Sequence, residues 1–362
     1  MRILHVINHT QKLNGNVHAA IDLACAQRKL GHEVSIASGG GDFDDLLSSM
    51  GIETVTVNHR RRPVSIMRAV ADLNRYVGTF RPDVVHAHMM TSAVLAVGIC
   101  RARRVPIITT VHNAFEKSAV VMKLGDRVIA VSEAVAVSMN KRGVPASKLC
   151  VVLNGTIGSP RLDTRDRASV TLAGPSILFV GGLHPRKGLP DLLEAFRSVR
   201  LKYKDARLYV VGGGPYEEAY KAIVRDTAQE DAVTFIGPVR DAFPYMMGAD
   251  IFVLPSHADP APLVLPEARE ARCAVVGTDV DGIPQLLEYG AAGIIVPPKN
   301  PEALAAVLDD LVKSPSLVQE WQTRSQFRIE NMTIDRVATE TMEVYSSALS
   351  VRSRRPTVAV PA

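Results

Sequence analysis

The stretch that decides the fold is Ser256–Glu270, SHADPAPLVLPEARE. The apolar run Ile251–Pro255 before it reads as a buried strand. A Pro-rich turn follows, and then an apolar-periodic segment with Ala, Glu and Arg that reads as a helix. Asp259 therefore falls in a strand-to-helix loop, and Glu267 one to two turns into the helix. Two carboxylates so spaced can face one crevice at the carboxyl edge of a parallel sheet, where open α/β folds bind ligands. A helix N-terminus there suits a phosphate. On these residues alone, two solvated surface charges fit equally well.

Working outward, the same strand–helix alternation fills the chain. With 362 residues, it is too long for one ordinary core. In the first half, Arg2–Ile7, Glu33–Ala37, Thr54–Val57, Val84–Ala87, Ile107–Val111, Arg127–Val131 and Cys150–Leu153 read as strands. Residues 158–175, GSPRLDTRDRASVTLAGP, read as a linker. The pattern then restarts with Ile177–Val180, Leu208–Val211, Val233–Phe235, Ile251–Leu254, Ala274–Val276 and Gly293–Val296. The expected division is a domain over 1–160, a linker over 161–175 and a second domain over 176–335. A helix over 336–350 packs back toward the first domain, and a disordered tail covers 351–362. Two βαβ domains with a cleft between them are expected.

No run of 18 apolar residues exists, and MRILHVINHT lacks a signal-peptide core. Cys25, Cys100, Cys150 and Cys273 are scattered, as buried thiols of a reduced cytoplasm would be. A cytoplasmic protein is expected, peripheral on the inner face of the plasma membrane. The net charge of +5 is uneven: residues 1–157 carry +8 and the remainder −3. The basic amphipathic stretch Arg60–Arg75 points to an anionic membrane surface or an anionic substrate. Nucleic acid is not expected, because only 5% of residues are aromatic and the basic clusters lack them.

The glycine loops are the next signal. Gly181–Gly188, GGLHPRKG, joins a strand to a helix, lets backbone approach a ligand and brings Arg186 and Lys187 to a phosphate. It lacks the P-loop spacing. Gly212–Pro215 is a second such loop, and on its own reads as a tight turn. Neither half has GxGxxG after its first strand, which argues against a dinucleotide dehydrogenase. His86 and His88 share one strand face, but no third metal ligand lies at helical spacing, so no metal is expected. Asp279 and Asp281 form a DxD that reads as a turn into Gly282.

Taken together in order, FVGGLHPRKG, VVGGGP, FIGPVRD, ADIFVLPS, DPAPLVLPEA and DGIPQLLEYGAAGIIVPP resemble the family 4 glycosyltransferases. GHEVSIAS, PDVVHAH, TVHN, VIAVSEAV and VVLNG extend the resemblance through the first half. It implies a GT-B fold and retaining transfer of a hexose-type sugar from a nucleotide-diphosphate sugar, UDP- or GDP-linked. It implies a glycan or lipid-linked acceptor and no metal. By position, Lys187 matches the donor-diphosphate lysine, while Gly182 stands where the family has an arginine, a charge Arg186 can replace. Glu267 matches the ribose-binding glutamate, and Asp259 stands for the first glutamate of the pair, one methylene shorter. Pro262 replaces a glycine and so removes an N–H, while Val264 and Leu265 keep theirs. His112 matches the histidine facing the donor sugar. Asn14, Gly15 and Asn16 keep half of a glycine pair near the phosphates. Gly182, Gly213, Leu263 and Val264 complete the donor-binding set, with Asp259 and His112 as the catalytic pair. The competing readings are a GT-B nucleotide-sugar epimerase and a non-catalytic sugar-nucleotide-binding protein degenerate at Gly182, Asp259 and Pro262.

Overall fold

The structure, a computed structural model, describes residues 1–12, 15–57, 63–162 and 168–353. It divides into two compact units, Met1–Arg161 with the chain from Thr333 onward, and Leu162–Met332.

In the first unit, β1 (Arg2–Val6), α1 (Gly15–Lys29), β2 (Glu33–Ser38), α2 (Asp44–Ser49), β3 (Glu53–Thr56) and α3 (Pro63–Phe80) form one run. The chain then gives β4 (Val84–Ala87), α4 (Met90–Ala102), β5 (Ile107–Val111), β6 (Arg127–Ala130), α5 (Glu133–Lys141) and β7 (Leu149–Val151). The seven strands are parallel, in the order β3-β2-β1-β4-β5-β6-β7. The chain winds one way from β1 and then the other from β4, so the strand order reverses between these two strands.

Strand alternation sorts the side chains onto two faces. Ile3, Ile7, Val84 and Ile108 join a core with residues of α1. Leu4, Val6, Val85 and Ile107 join another with Ala69, Leu73 and Val77 of α3 and Leu95 and Ile99 of α4. In α3, Leu73 is buried, whereas Ile66, Met67 and Val70 are exposed. Arg60, Arg61 and Arg62 lie outside the described residues.

In the second unit come β8 (Ser176–Val180), α6 (Leu189–Lys202), β9 (Arg207–Val211), α7 (Glu217–Asp226), β10 (Val233–Gly237), α8 (Phe243–Met247) and β11 (Ile251–Leu254). They are followed by α9 (Val264–Glu270), β12 (Ala274–Thr278), α10 (Ile283–Leu286), β13 (Ile294–Val296), α11 (Pro301–Lys313) and α12 (Pro315–Arg324). The sheet order is β10-β9-β8-β11-β12-β13, all parallel, with the reversal between β8 and β11. β8, β11 and β12 are buried along their whole length, as their unbroken apolar runs require. Arg269, fully buried in α9, donates to the carbonyls of Leu286, Ser325 and Phe327 and ties the segment after α12 to the sheet layer.

Of the stretch read as a linker, Val170 donates from its N–H to Pro244 O and Ala173 to Tyr209 OH, so these residues lie along the second unit. Residues 163–167 lie outside the described ones. The last helix, α13 (Ile334–Ser353), belongs to the first unit, where Ile334, Ala338, Tyr345 and Ala348 pack in the core with α1. Disorder is expected from residue 351, whereas the helix runs to Ser353; 354–362 lie outside the described residues.

Candidate active site

The glycine loops and the Asp259 loop leave the carboxyl ends of adjacent strands. Gly181–Gly188 follows β8, and Ser256–Leu263 follows β11. These are the two strands at which the order reverses, the place where open α/β sheets bind ligands. Gly188 has φ +68, and a Cβ there would meet Pro255 O at 1.8 Å. That close approach pins the first loop to the end of β11. The His257 N–H donating to Arg186 O (2.7 Å) and the His257 Nε2 bonded to Asp191 Oδ2 (2.7 Å) hold the same junction.

This junction brings Lys187 Nζ to 2.5 Å from Asp259 Oδ2. Both side chains are mostly buried, at 13% and 7% exposure. The Ser256 hydroxyl also donates to Asp259 Oδ2 at 3.2 Å. The Asp259 N–H donates to Asp281 Oδ2 at 2.7 Å. Asp281 sits at φ 46 in the turn after β12. Burial raises its carboxyl above the usual range, and the neighbouring Asp259 charge adds to that. The Asp279–Asp281 turn thus supports the Asp259 loop.

Asp259 and Glu267 are both buried, so the reading as solvated surface charges falls. Glu267 is the fourth residue of α9, one turn in. Leu263 caps that helix, and Val264 opens it. The Leu265 N–H, expected to remain for a ligand, instead donates to Pro262 O (3.3 Å), because α9 begins immediately after the proline. Arg186 Nη1 reaches Ala258 O at 3.5 Å. Gly213 follows β9, and its N-terminal neighbour Gly212, at φ +128, lies against Gly181 O. A Cβ built on Gly182 meets nothing within 4 Å, so the missing arginine is a matter of sequence and not of space.

In the first unit, Gly15 and Asn16 open α1, and Asn14 lies outside the described residues. His112 follows β5 and lines a cavity of about 30 Å³ with His88, Thr110, Asn154 and Thr341. Burial lowers its imidazole to about 4.

From the sequence no metal is expected at His86 and His88, for want of a third ligand. The fold supplies one: β1 and β4 pair with His5 opposite His86, and His5, His86 and His88 gather in one buried cluster. A lone His within MRILHVI, alternating with Ile3 and Ile7, was the signal that could have found it. The ring nitrogens are already engaged. His5 Nδ1 lies 2.8 Å from His88 Nε2, and His5 Nε2 2.7 Å from Gln27 Oε1. His86 bonds to Tyr345 OH (2.7 Å) and Thr110 Oγ1 (2.6 Å). Two nitrogens on one tetrahedral zinc lie about 3.3 Å apart. The cluster is therefore a satisfied hydrogen-bond network and does not fit a metal without being taken apart.

Comparison with known proteins agrees with this architecture. The family model described as glycosyl transferases group 1 matches residues 174–314, and that described as glycosyltransferase family 4 matches 13–156. The chain is 27% identical over 380 residues to a phosphatidyl-myo-inositol mannosyltransferase of Mycolicibacterium smegmatis, covering 96% of this chain and 94% of that one. It is 28% identical over 295 residues to a glycogen synthase of Mycobacterium tuberculosis, covering 75% and 70%. Among solved structures, Anabaena HepE in complex with UDP and glucose superposes with a TM-score of 0.81 at 19% identity, over 96% of this chain and all of that one. A Rickettsia africae glycosyltransferase superposes at 0.78 with 21% identity, over 96% and 98%. The two parallel sheets are those of the GT-B fold, and the chain belongs to the family 4 glycosyltransferases.

Proposed function

We propose that the protein moves a hexose-type sugar, with retention of configuration, from a nucleotide-diphosphate sugar to a glycan or lipid-linked acceptor. The observation that carries this is the buried Lys187–Asp259 pair at the reversal between β8 and β11. A buried ammonium in a glycine loop at that place is suited to a diphosphate.

Departure of the nucleoside diphosphate puts negative charge on phosphate oxygens and leaves an oxocarbenium-like sugar. Lys187, with Arg186 beside it, stabilises the first electrostatically. Asp259, close to Lys187, answers the positive charge at the anomeric carbon. Glu267 holds the donor ribose hydroxyls and His112 a sugar hydroxyl. Gly15, Asn16, Gly182, Gly213, Leu263 and Val264 offer close backbone approach. Because cationic side chains meet the leaving charge, transfer proceeds without a divalent ion.

HepE's complexes with UDP and glucose and the smegmatis relative's mannosyl transfer to phosphatidyl-myo-inositol support a nucleotide-sugar donor and a lipid-bearing acceptor. Ile66, Met67 and Val70 are exposed beside Arg68 on α3, which supports contact with an anionic membrane surface and a role in glycolipid or cell-surface polysaccharide synthesis. Among the described residues, no helix is long and apolar enough to cross a membrane.

The test is thermal stability against UDP-, GDP-, ADP- and dTDP-sugars in the presence of chelator. Saturation at 100 times Kd stabilises by about 2.7 kcal/mol. A shift with one donor that disappears in Lys187→Ala and Glu267→Ala supports the reading. No shift with any donor favours a degenerate protein.

A further inference from the structure

The buried histidines form one directed chain that ends at His112. His112 Nε2 lies 3.2 Å from His88 Nδ1, His88 Nε2 lies 2.8 Å from His5 Nδ1, and His5 Nε2 lies 2.7 Å from Gln27 Oε1. All three rings alternate onto the sheet face covered by α1 and α13, from which Gln27 and Tyr345 reach them.

A neutral imidazole carries one proton and one lone pair, so a run of neutral imidazoles must point one way throughout. The end of the run therefore decides the tautomer of every member. That end is the Gln27 amide. Gln27 Nε2 faces Met342 Sδ (3.8 Å) and Tyr345 OH (3.2 Å). A thioether has no proton to give, so the NH2 belongs on that side and Oε1 on the His5 side. Oε1 requires the proton on His5 Nε2. His5 Nδ1 then accepts from His88 Nε2–H, and His88 Nδ1 accepts from His112 Nε2–H. Tyr345, accepting from Gln27, donates its own hydroxyl to His86 Nδ1, and His86 Nε2–H donates to Thr110 Oγ1. In this arrangement both nitrogens of His5, His86 and His88, and His112 Nε2, have a partner of the right sense.

We propose that Gln27, Tyr345 and Met342 are positioning residues that, through His5 and His88, fix His112 as its Nε2–H tautomer and leave Nδ1 as a hydrogen-bond acceptor. Burial keeps the run neutral: it lowers His5 and His112 to about 4 and His88 well below its ordinary value, so no doubly protonated ring breaks the direction. Resting on the reading of His112 as a donor-sugar contact, the consequence is a preference. The group His112 recognises is one that donates, a sugar hydroxyl, and a deoxy or methoxy sugar at that position is discriminated against.

The experiment is long-range ¹H–¹⁵N NMR of the imidazoles in the full-length protein at neutral pH, which separates protonated from bare ring nitrogens. In the wild type, His5, His88 and His112 are expected to be protonated on Nε2. Gln27→Met removes the deciding carbonyl, and His112 then shows a mixture of tautomers, with Kd for the donor raised about three- to tenfold. A wild-type His112 protonated on Nδ1 overturns the proposal, and this holds even if the variant fails to fold. So does a Gln27→Met spectrum in which His112 remains purely Nε2–H. A change of tautomer with donor affinity unchanged leaves the relay standing and overturns the assignment of His112 to the sugar.

Discussion

Lys187 Nζ and Asp259 Oδ2 are 2.5 Å apart, on loops that leave neighbouring strands of the second sheet 72 residues apart in sequence. The Asp259 carboxylate closes directly on the ammonium. In the proposed function a donor diphosphate would compete with Asp259 for Lys187.

This pairing makes the two residues unequal under substitution. Lys187→Ala removes the diphosphate cation and leaves a buried carboxylate without its partner, so both donor affinity and stability fall, the latter by about 3 kcal/mol. Asp259→Asn keeps the shape and frees the ammonium, so donor affinity is held or gained while kcat drops by about 100-fold. Chemical denaturation alongside calorimetric titration separates the two effects.

Gly182 is open around its Cβ, and its φ is not in the left-handed region. Gly182→Arg is expected to fold at near wild-type stability and to bind nucleoside diphosphate about tenfold more tightly, the gain vanishing at high salt. A binding titration in low and high salt checks this.

Gly188 has no such freedom. Gly188→Ala sets a left-handed φ against a Cβ 1.8 Å from Pro255 O, so the loop must shift away from β11. The expected result is a loss of more than about 2 kcal/mol and weakened donor binding, read by thermal unfolding with and without donor.

Acid stability should report the histidine run. Burial lowers His5 and His112 to about 4 and His86 and His88 well below 6.5, and burial with the Arg161 and Lys12 charges lowers His18 to about 3. In the unfolded chain these groups take up protons near 6.5, so between there and about 4 the unfolded state binds more protons than the folded one. Stability is therefore complete above about pH 6.5 and lost as pH falls toward 4. Each group adds a slope of up to about 1.4 kcal/mol per pH unit. Tm measured from pH 7.5 to 5 should fall more steeply than one proton allows.

Vesicle flotation tests the α3 surface. Met67→Asp with Arg68→Glu is expected to abolish binding to anionic vesicles while leaving the first sheet folded, since Met67 is 66% exposed and the core is made by Leu73 and Val77. Equal binding by the double variant contradicts a membrane contact there.

The strands and their alternation were plain in the sequence, because a parallel sheet buried on both faces demands unbroken apolar runs such as Ile251–Leu254. The Asp259 loop was legible for the same reason: its turn residues and its helix follow such a run directly. The histidine cluster was not, because no periodicity within one strand shows that β1 and β4 are neighbours. His5 meets His86 and His88 only through the reversal of strand order, and Tyr345 arrives from a helix more than 250 residues away. The Lys187–Asp259 bond was hidden likewise, since motif position gave each residue a ligand and not each other.

The most direct measurement is turnover of the donor that stabilises the protein, followed by NMR at the anomeric proton in the presence of chelator. The expected result is release of nucleoside diphosphate, a product with the anomeric configuration of the donor, and a kcat/KM more than about 100-fold lower in Lys187→Ala. An inverted product, a requirement for divalent metal, or full activity without Lys187 would contradict it.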